Sequence, residues 1–279
     1  MFPPERIVCL TEETVETLYL LGQQDRIVGI SGYCVRPPQA RREKPRVSAF
    51  TSADLAKIRA LQPDLVLAFS DMQADIVAGL IRDGIAVHAF NQRSLAGIFD
   101  MIHMLGALTG CATRAQNLAA SLERGLADIR AAASGMGRRP RVYFEEWDEP
   151  MISAIGWVSE LIAVAGGEDI FADRAKGRSG KERIVTAQEI IERSPDIIIG
   201  SWCGKKFRPE KVAARPGFAS IPAVALDALF EIKSTVILQP GPAALTDGLA
   251  ALTEIMSRWH GPRTRGRCRT GCSSAPPAG

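Results

Sequence analysis

Residues 55–69, LAKIRALQPDLVLAF, and residues 187–202, AQEIIERSPDIIIGSW, carry the same pattern twice. Each is an amphipathic helix pattern, a Pro-Asp turn, a short apolar run and a closing aromatic. Pro63-Asp64 and Pro195-Asp196 stop the helices, because proline donates no N–H and disfavours α conformation in the residue before it. Leu65-Val66-Leu67 and Ile197-Ile198-Ile199 then read as strands buried on both faces, as in a parallel sheet. One such unit in each half of the chain predicts an α/β protein of two Rossmann-like lobes with mainly parallel sheets and a cleft between them.

Outward from the first unit, residues 6–10 (RIVCL) predict a strand, followed by a helix from Thr11-Glu12-Glu13 to Leu21 that Gly22 ends. Residues 26–30 predict a second strand, and Arg46-Val47-Ser48 leads to Phe50. Thr51 or Ser52 is placed to cap the repeated helix. A helix over 74–83 and a strand over 86–90 complete the alternation of a mainly parallel sheet. Residues 112–134 differ, being rich in Ala, Leu, Glu and Arg without proline. Leu118, Leu122, Leu126 and Ile129 recur at helical spacing. At ~1.5 Å per residue this is a rod of roughly 30 Å, read as a helical bridge between lobes. In the second half, a strand over 141–144 precedes an acidic loop, and a helix over 158–165 ends at Gly166-Gly167. The repeated unit follows, then a last helix over 242–259. The domain reading is a lobe over 1–110, a bridging helix over 111–136, a second lobe over 137–259, and a disordered basic tail over 260–279.

Composition is that of an ordinary globular protein, 46% hydrophobic and 23% charged. The net charge of +3 reflects a tail carrying Arg263, Arg265, Arg267 and Arg269 without acids, so the body has no nucleic-acid footprint. The six cysteines have neither disulfide-framework nor zinc spacing, and no metal is expected. Free thiols and the opening MFPPERIVCL, which lacks a basic segment followed by an apolar one, predict a cytoplasmic chain.

In an open parallel sheet, ligands sit beyond the carboxyl ends of the strands. That rule selects Glu12, Glu13, Tyr33, Phe50, Phe69 and Asp71 in lobe one. In lobe two it selects Glu145, Glu146, Trp147 and Trp202, with Lys205 and Lys206. The aromatics offer flat walls for a large planar or apolar ligand, or cap the core of their own sheets. EEWDEP (145–150) crowds carboxylates that must be solvated, matched by Lys205, Lys206 or Arg36, or turned to a ligand. WCGKK (202–206) offers ammonium groups for phosphate or carboxylate. The histidines are badly placed for general-base work, with His88 in a strand, His103 on a helix and His260 in the tail. No catalytic residue is assigned.

RIVCLTEETVETLYLLGQQDRIVGIS, the Tyr33…Pro37-Pro38…Val47-Ser48 segment and the two helix–Pro-Asp–strand units together resemble the helical-backbone class of ABC-transporter substrate-binding proteins, nearest its cobalamin-binding branch. The resemblance covers about residues 5–258. It implies a non-enzymatic, monomeric binder holding a corrinoid between its lobes, with Tyr33, Phe50 and Phe69 against the corrin and Trp147 and Trp202 in facing loops. It also implies an extracytoplasmic location and docking on a permease through one acid at the start of each repeated helix. In this chain the first place reads Leu55-Ala56-Lys57, with no acid after Asp54, and the second reads Gln188-Glu189. Other readings stay open: an iron-siderophore or haem binder, a cytoplasmic corrinoid carrier, or a metal-dependent enzyme using the Glu145–Asp148 carboxylates. An acid-rich cleft disfavours anionic siderophores.

Overall fold

A computed structural model describes residues 2–135 and 137–259; the tail expected over 260–279 lies outside the described residues. Lobe one holds β1 (Ile7–Cys9), β2 (Ile27–Ser31), β3 (Arg46–Ser48), β4 (Leu65–Phe69) and β5 (Val87–Phe90). They form a sheet in the order β3-β2-β1-β4-β5, parallel throughout. Lobe two holds β6 (Arg141–Asp148), β7 (Met151–Ser153), β8 (Glu168–Asp169), β9 (Ile197–Gly200) and β10 (Leu229–Glu231), ordered β10-β9-β6-β7 with β8 also on β6. Among the strand pairs of the described residues, β6–β7 alone is antiparallel.

The repeated unit has the same geometry in both lobes. Gln62 and Ser194, just before the prolines, take left-handed φ values of 46° and 43° and end their helices. The following aspartate then grips the start of the central strand. Asp64 accepts the N–H groups of Glu5 (2.7 Å) and Arg6 (2.9 Å) ahead of β1. Asp196 accepts the N–H of Arg141 (2.9 Å) at the head of β6. The Pro-Asp dipeptide therefore stops a helix and pins the neighbouring strand.

The helix expected over 112–134 spans Ala112–Ser134. It folds back on the helix Leu95–Leu108 through a short turn, where Gly106 has Ala115 so close that a Cβ would lie 2.3 Å from it. One apolar core runs through both lobes, joining Ile7, Leu67 and Leu122 to Phe144, Trp157 and Ile197. Two smaller cores cover the outer faces of the sheets. The lobes are tied by more than the helix. Gly156, heading the helix Gly156–Val164, lies against Arg93, whose carbonyl oxygen would be 2.1 Å from a Cβ there. Gln92 Nε2 donates to the Pro240 carbonyl (3.0 Å), and the Ala243 N–H donates to Glu16 (2.9 Å).

Three local expectations are corrected. Asp54, rather than Thr51 or Ser52, caps the helix Leu55–Ala60 by accepting the Lys57 N–H (2.9 Å). The acidic loop after 141–144 is the outer half of β6 and the turn of a β6–β7 hairpin. The last helix begins with a π-helical turn, Ala244–Gly248, before the α-helix Leu249–Arg258.

Candidate ligand-binding cleft

The strand orders fix where a ligand can sit. In lobe one the order reverses between β1 and β4, and in lobe two between β6 and β9, so crevices open beyond those carboxyl ends. Glu12, Glu13 and Asp71 flank the first crevice. Residues 145–148 and 202–206 flank the second. Charges from the two edges meet: burial lowers the Arg93 pKa, Asp71 and Glu146 oppose that, and Arg183 adds to it. The guanidinium of Arg93 lies 5.2 Å from the centre of the Phe69 ring and 3.7 Å from Asp71.

The lobe-one edge is knitted by Gln73, which is fully buried. Its amide donates to the Phe50 carbonyl (2.8 Å) and accepts the Phe69 N–H (2.9 Å), tying the ends of β4 and the β3 loop. Ser70, at φ 60°, turns the chain sharply after β4 and accepts the Met72 N–H (3.3 Å). Tyr33 stands out from this edge at 63% exposure. Phe69 is buried, and Phe50 is half-buried against the same core. Asp71 is exposed.

Glu12 and Glu13 are buried at the first turn of the helix Glu12–Leu20. Both carboxyl oxygens of Glu12 and one of Glu13 lack a hydrogen-bond partner; the other Glu13 oxygen accepts the Thr11 hydroxyl (2.5 Å). Burial, with a smaller contribution from Glu16, pushes Glu12 up to about 8 and Glu13 up to about 7. Arg36, a candidate partner for the EEWDEP acids, instead pairs with Glu16 (3.2 Å) and Asp247 (2.8 Å).

In lobe two every acid of the hairpin strand has a base. Glu145 is fully buried and accepts both arms of Arg215 (2.5 and 3.0 Å), the Tyr143 hydroxyl (2.9 Å) and the Trp202 indole N–H (2.9 Å). Glu146 pairs in two-pronged fashion with Arg183 (2.6 and 3.2 Å). Asp148 pairs with Lys205, whose ammonium lies 4.0 Å from the centre of the Trp147 ring and 5.3 Å from that of Trp202. Gly200, at the end of β9, leaves room for the Phe207 ring; a Cβ would lie 1.8 Å from it.

Sequence and structure thus differ over several candidates. Glu145 and Trp202 are buried in lobe two: Glu145 braces the cleft edge, and Trp202 reaches the surface only where it lines a groove beside Lys205 and Lys206. Trp147, half-buried, and the exposed Lys205 and Lys206 remain at the surface of that edge. The acid-rich cleft expected from sequence is not acid-rich in charge, since its lobe-two acids are paired. That removes the electrostatic objection to an anionic ligand. The same pairing occupies the carboxylates that a metal-dependent enzyme would need. Among the described residues no group of three or more His, Cys, Asp or Glu is arranged to hold a metal ion.

Arg93, Arg183, Arg215 and Gln73 were not selected from sequence. Arg93 follows β5 and falls under the same strand-end rule that selected Phe69. Arg183 and Arg215 lie 37 and 70 residues from their partners and leave no local signal.

The sequence profile of the periplasmic binding protein family matches residues 7–236, and the chain belongs to that family. It is 26% identical over 260 residues to an uncharacterized ABC transporter substrate-binding lipoprotein of Bacillus subtilis, covering 90% of this chain and 79% of that protein. It is 28% identical over 204 residues to the vitamin B12-binding protein of Vibrio cholerae, covering 72% and 71%. A cobalamin-binding protein of Halobacterium salinarum is 30% identical over 200 residues, covering 70% of this chain and 53% of its own length. Among solved structures, the periplasmic vitamin B12-binding protein of Vibrio cholerae superimposes with a TM-score of 0.72 at 24% identity, covering 91% and 97%. The periplasmic haem-binding protein of Roseiflexus superimposes at 0.76 and 23% identity, covering 90% and 99%. These structures share the two-lobed fold. A cytoplasmic location finds no support among relatives named as periplasmic proteins and lipoproteins; the extracytoplasmic alternative fits them.

Proposed function

We propose that this protein is the substrate-binding component of an ABC transporter and holds a corrinoid in the cleft between its lobes. Support comes chiefly from one observation: each sheet carries aromatic and charged residues just beyond its strand ends at the switch point, and Arg93 after β5 feels Glu146 and Arg183 of the other lobe, in a chain whose relatives include vitamin B12-binding proteins. Phe50, Phe69 and Trp147 supply apolar wall, and Tyr33 reaches furthest from the lobe-one edge. Asp71, Lys205 and Lys206 offer polar contacts around the rim, with Glu12 and Glu13 beneath it. The binder acts as a monomer, without catalysis, outside the membrane. The permease is its second partner. Asp54 and Glu189 mark the two repeated helices. Asp54 caps its helix through one oxygen and keeps the other for docking, whereas Glu189 accepts the Thr186 N–H on one oxygen and pairs with Arg174 through the other, so docking on lobe two requires a neighbouring acid.

A haem reading is favoured by one feature, the exposed Tyr33, because haem iron takes a Tyr or His axial ligand. Calorimetric titration with cyanocobalamin, haemin and a ferric hydroxamate separates these readings. Cyanocobalamin is expected to bind one-to-one at micromolar or tighter affinity. Tight binding of haemin alone, lost in Tyr33→Phe, would replace the corrinoid reading with the haem one.

A further inference from the structure

A groove of about 450 Å³ lies at the carboxyl ends of β9 and β10, between Trp202, Lys205, Lys206, Glu231, Lys233 and Thr235. It belongs to the cleft-facing edge of lobe two. A smaller cavity of about 180 Å³, near Leu226 and Trp259, lies at the opposite end of the same strands. The charges around the groove are unequal. Lys205 is occupied by Asp148, and Glu231 is tied to the Phe207 N–H (3.0 Å). Among the described residues, Lys206 and Lys233 take part in no ion pair, and both are exposed. The Ser234 and Thr235 hydroxyls, at the rim, donate to no protein acceptor among those residues. Two unmatched ammonium groups beside free hydroxyls outnumber the one groove carboxylate without a cation, Glu231, and make a site for an anion. Ammonium groups act on phosphate as compact point charges with rotatable donors.

We infer that the Lys206–Lys233 groove receives the anionic phosphate of the ligand, so that the protein selects complete corrinoids, which carry a nucleotide-loop phosphodiester, over corrinoids that lack the loop. This rests on the corrinoid reading above and names the part of the ligand that lobe two recognises. Lobe one, by contrast, offers buried carboxyls and aromatic surface, suited to the amide-bearing macrocycle rather than to a phosphate.

The test compares cyanocobalamin with dicyanocobinamide, which has no nucleotide loop, by calorimetry on the wild type and on the Lys206→Gln/Lys233→Gln double variant, at low and high salt. The wild type is expected to prefer cyanocobalamin by about tenfold or more at low salt, equivalent to ~1.4 kcal/mol. Salt and the double variant should each shrink that preference toward parity, because a surface ion contact is screened. Preference that survives both would mean that the loop's base, not its phosphate, is read, and overturns the inference. Equal affinity of the wild type for both ligands overturns it as well, while leaving the corrinoid reading intact. Binding of neither corrinoid defeats the corrinoid reading itself and the inference with it. Because both lysines are exposed, thermal melts of the variant should match the wild type.

Discussion

The two edges of the cleft handle carboxylates in opposite ways. At the lobe-one edge, Glu12 and Glu13 are buried with oxygens that nothing satisfies, and burial raises both into the neutral range. At the lobe-two edge, Glu145, Glu146 and Asp148 each face a cation, and Glu145 has hydrogen bonds on both oxygens. The same residue type is therefore an ion-pair strut on one side and a proton-holding group on the other. The difference teaches that counting acids in a sequence does not give the charge of a site. It also divides labour: lobe two is braced, and lobe one is responsive to pH.

The most severe way to break this contrast is to strip a strut of its partner. Arg215→Ala leaves the Glu145 carboxylate buried without a cation, and it should cost about 3–5 kcal/mol of stability, read from urea unfolding. A loss below ~1 kcal/mol would mean that Glu145 is not the structural anchor described. Restoring neutrality with Glu145→Gln in the same chain should recover part of the loss.

A smaller effect is expected where the lobes touch. Gly156→Ala drives a methyl into the Arg93 carbonyl, which must move, at about 1–3 kcal/mol. The long helix and the Gln92–Pro240 and Glu16–Ala243 contacts hold the lobes together as well. Small-angle scattering of the wild type should thus change little when ligand is added. A marked compaction would show that these ties yield.

The mildest test concerns pH. The folded pKa of Glu12, about 8, lies above its unfolded value of ~4.3. Between those values the folded chain holds the extra proton, so stability falls as pH rises through the window and the loss is complete above the folded pKa. Glu13, raised to about 7, acts in the same direction over a narrower span. Glu12→Gln should flatten the decline by on the order of 1 kcal/mol per pH unit. An unchanged slope in Glu12→Gln would place the proton elsewhere.

How much of this could be read from the residues alone follows from range. The Pro-Asp units announced both lobes because the helix stop and the apolar strand are contiguous in sequence. The second task of Asp64 and Asp196, pinning β1 and β6, was hidden because their partners lie tens of residues away. The long helix was legible to its ends, since its composition changes abruptly at Cys111 and Gly135. EEWDEP read as a loop because acids dominate its composition, yet with Glu145, Glu146 and Asp148 paired to Arg215, Arg183 and Lys205 it runs on as a strand and turns at Glu149-Pro150. The strand-end rule selects residues by their place after each strand. It did not find which aromatics turn inward, because Trp202 faces the Glu145–Arg215 pair and that pair is assembled only by folding.

Amide hydrogen exchange with and without saturating cyanocobalamin tests the central claim most directly. Slowed exchange is expected in peptides from both edges, residues 31–35, 48–52 and 69–73 in lobe one and 145–149 and 201–206 in lobe two, with residues 112–134 unchanged. No protection, or protection confined to one lobe, would contradict a ligand held between them.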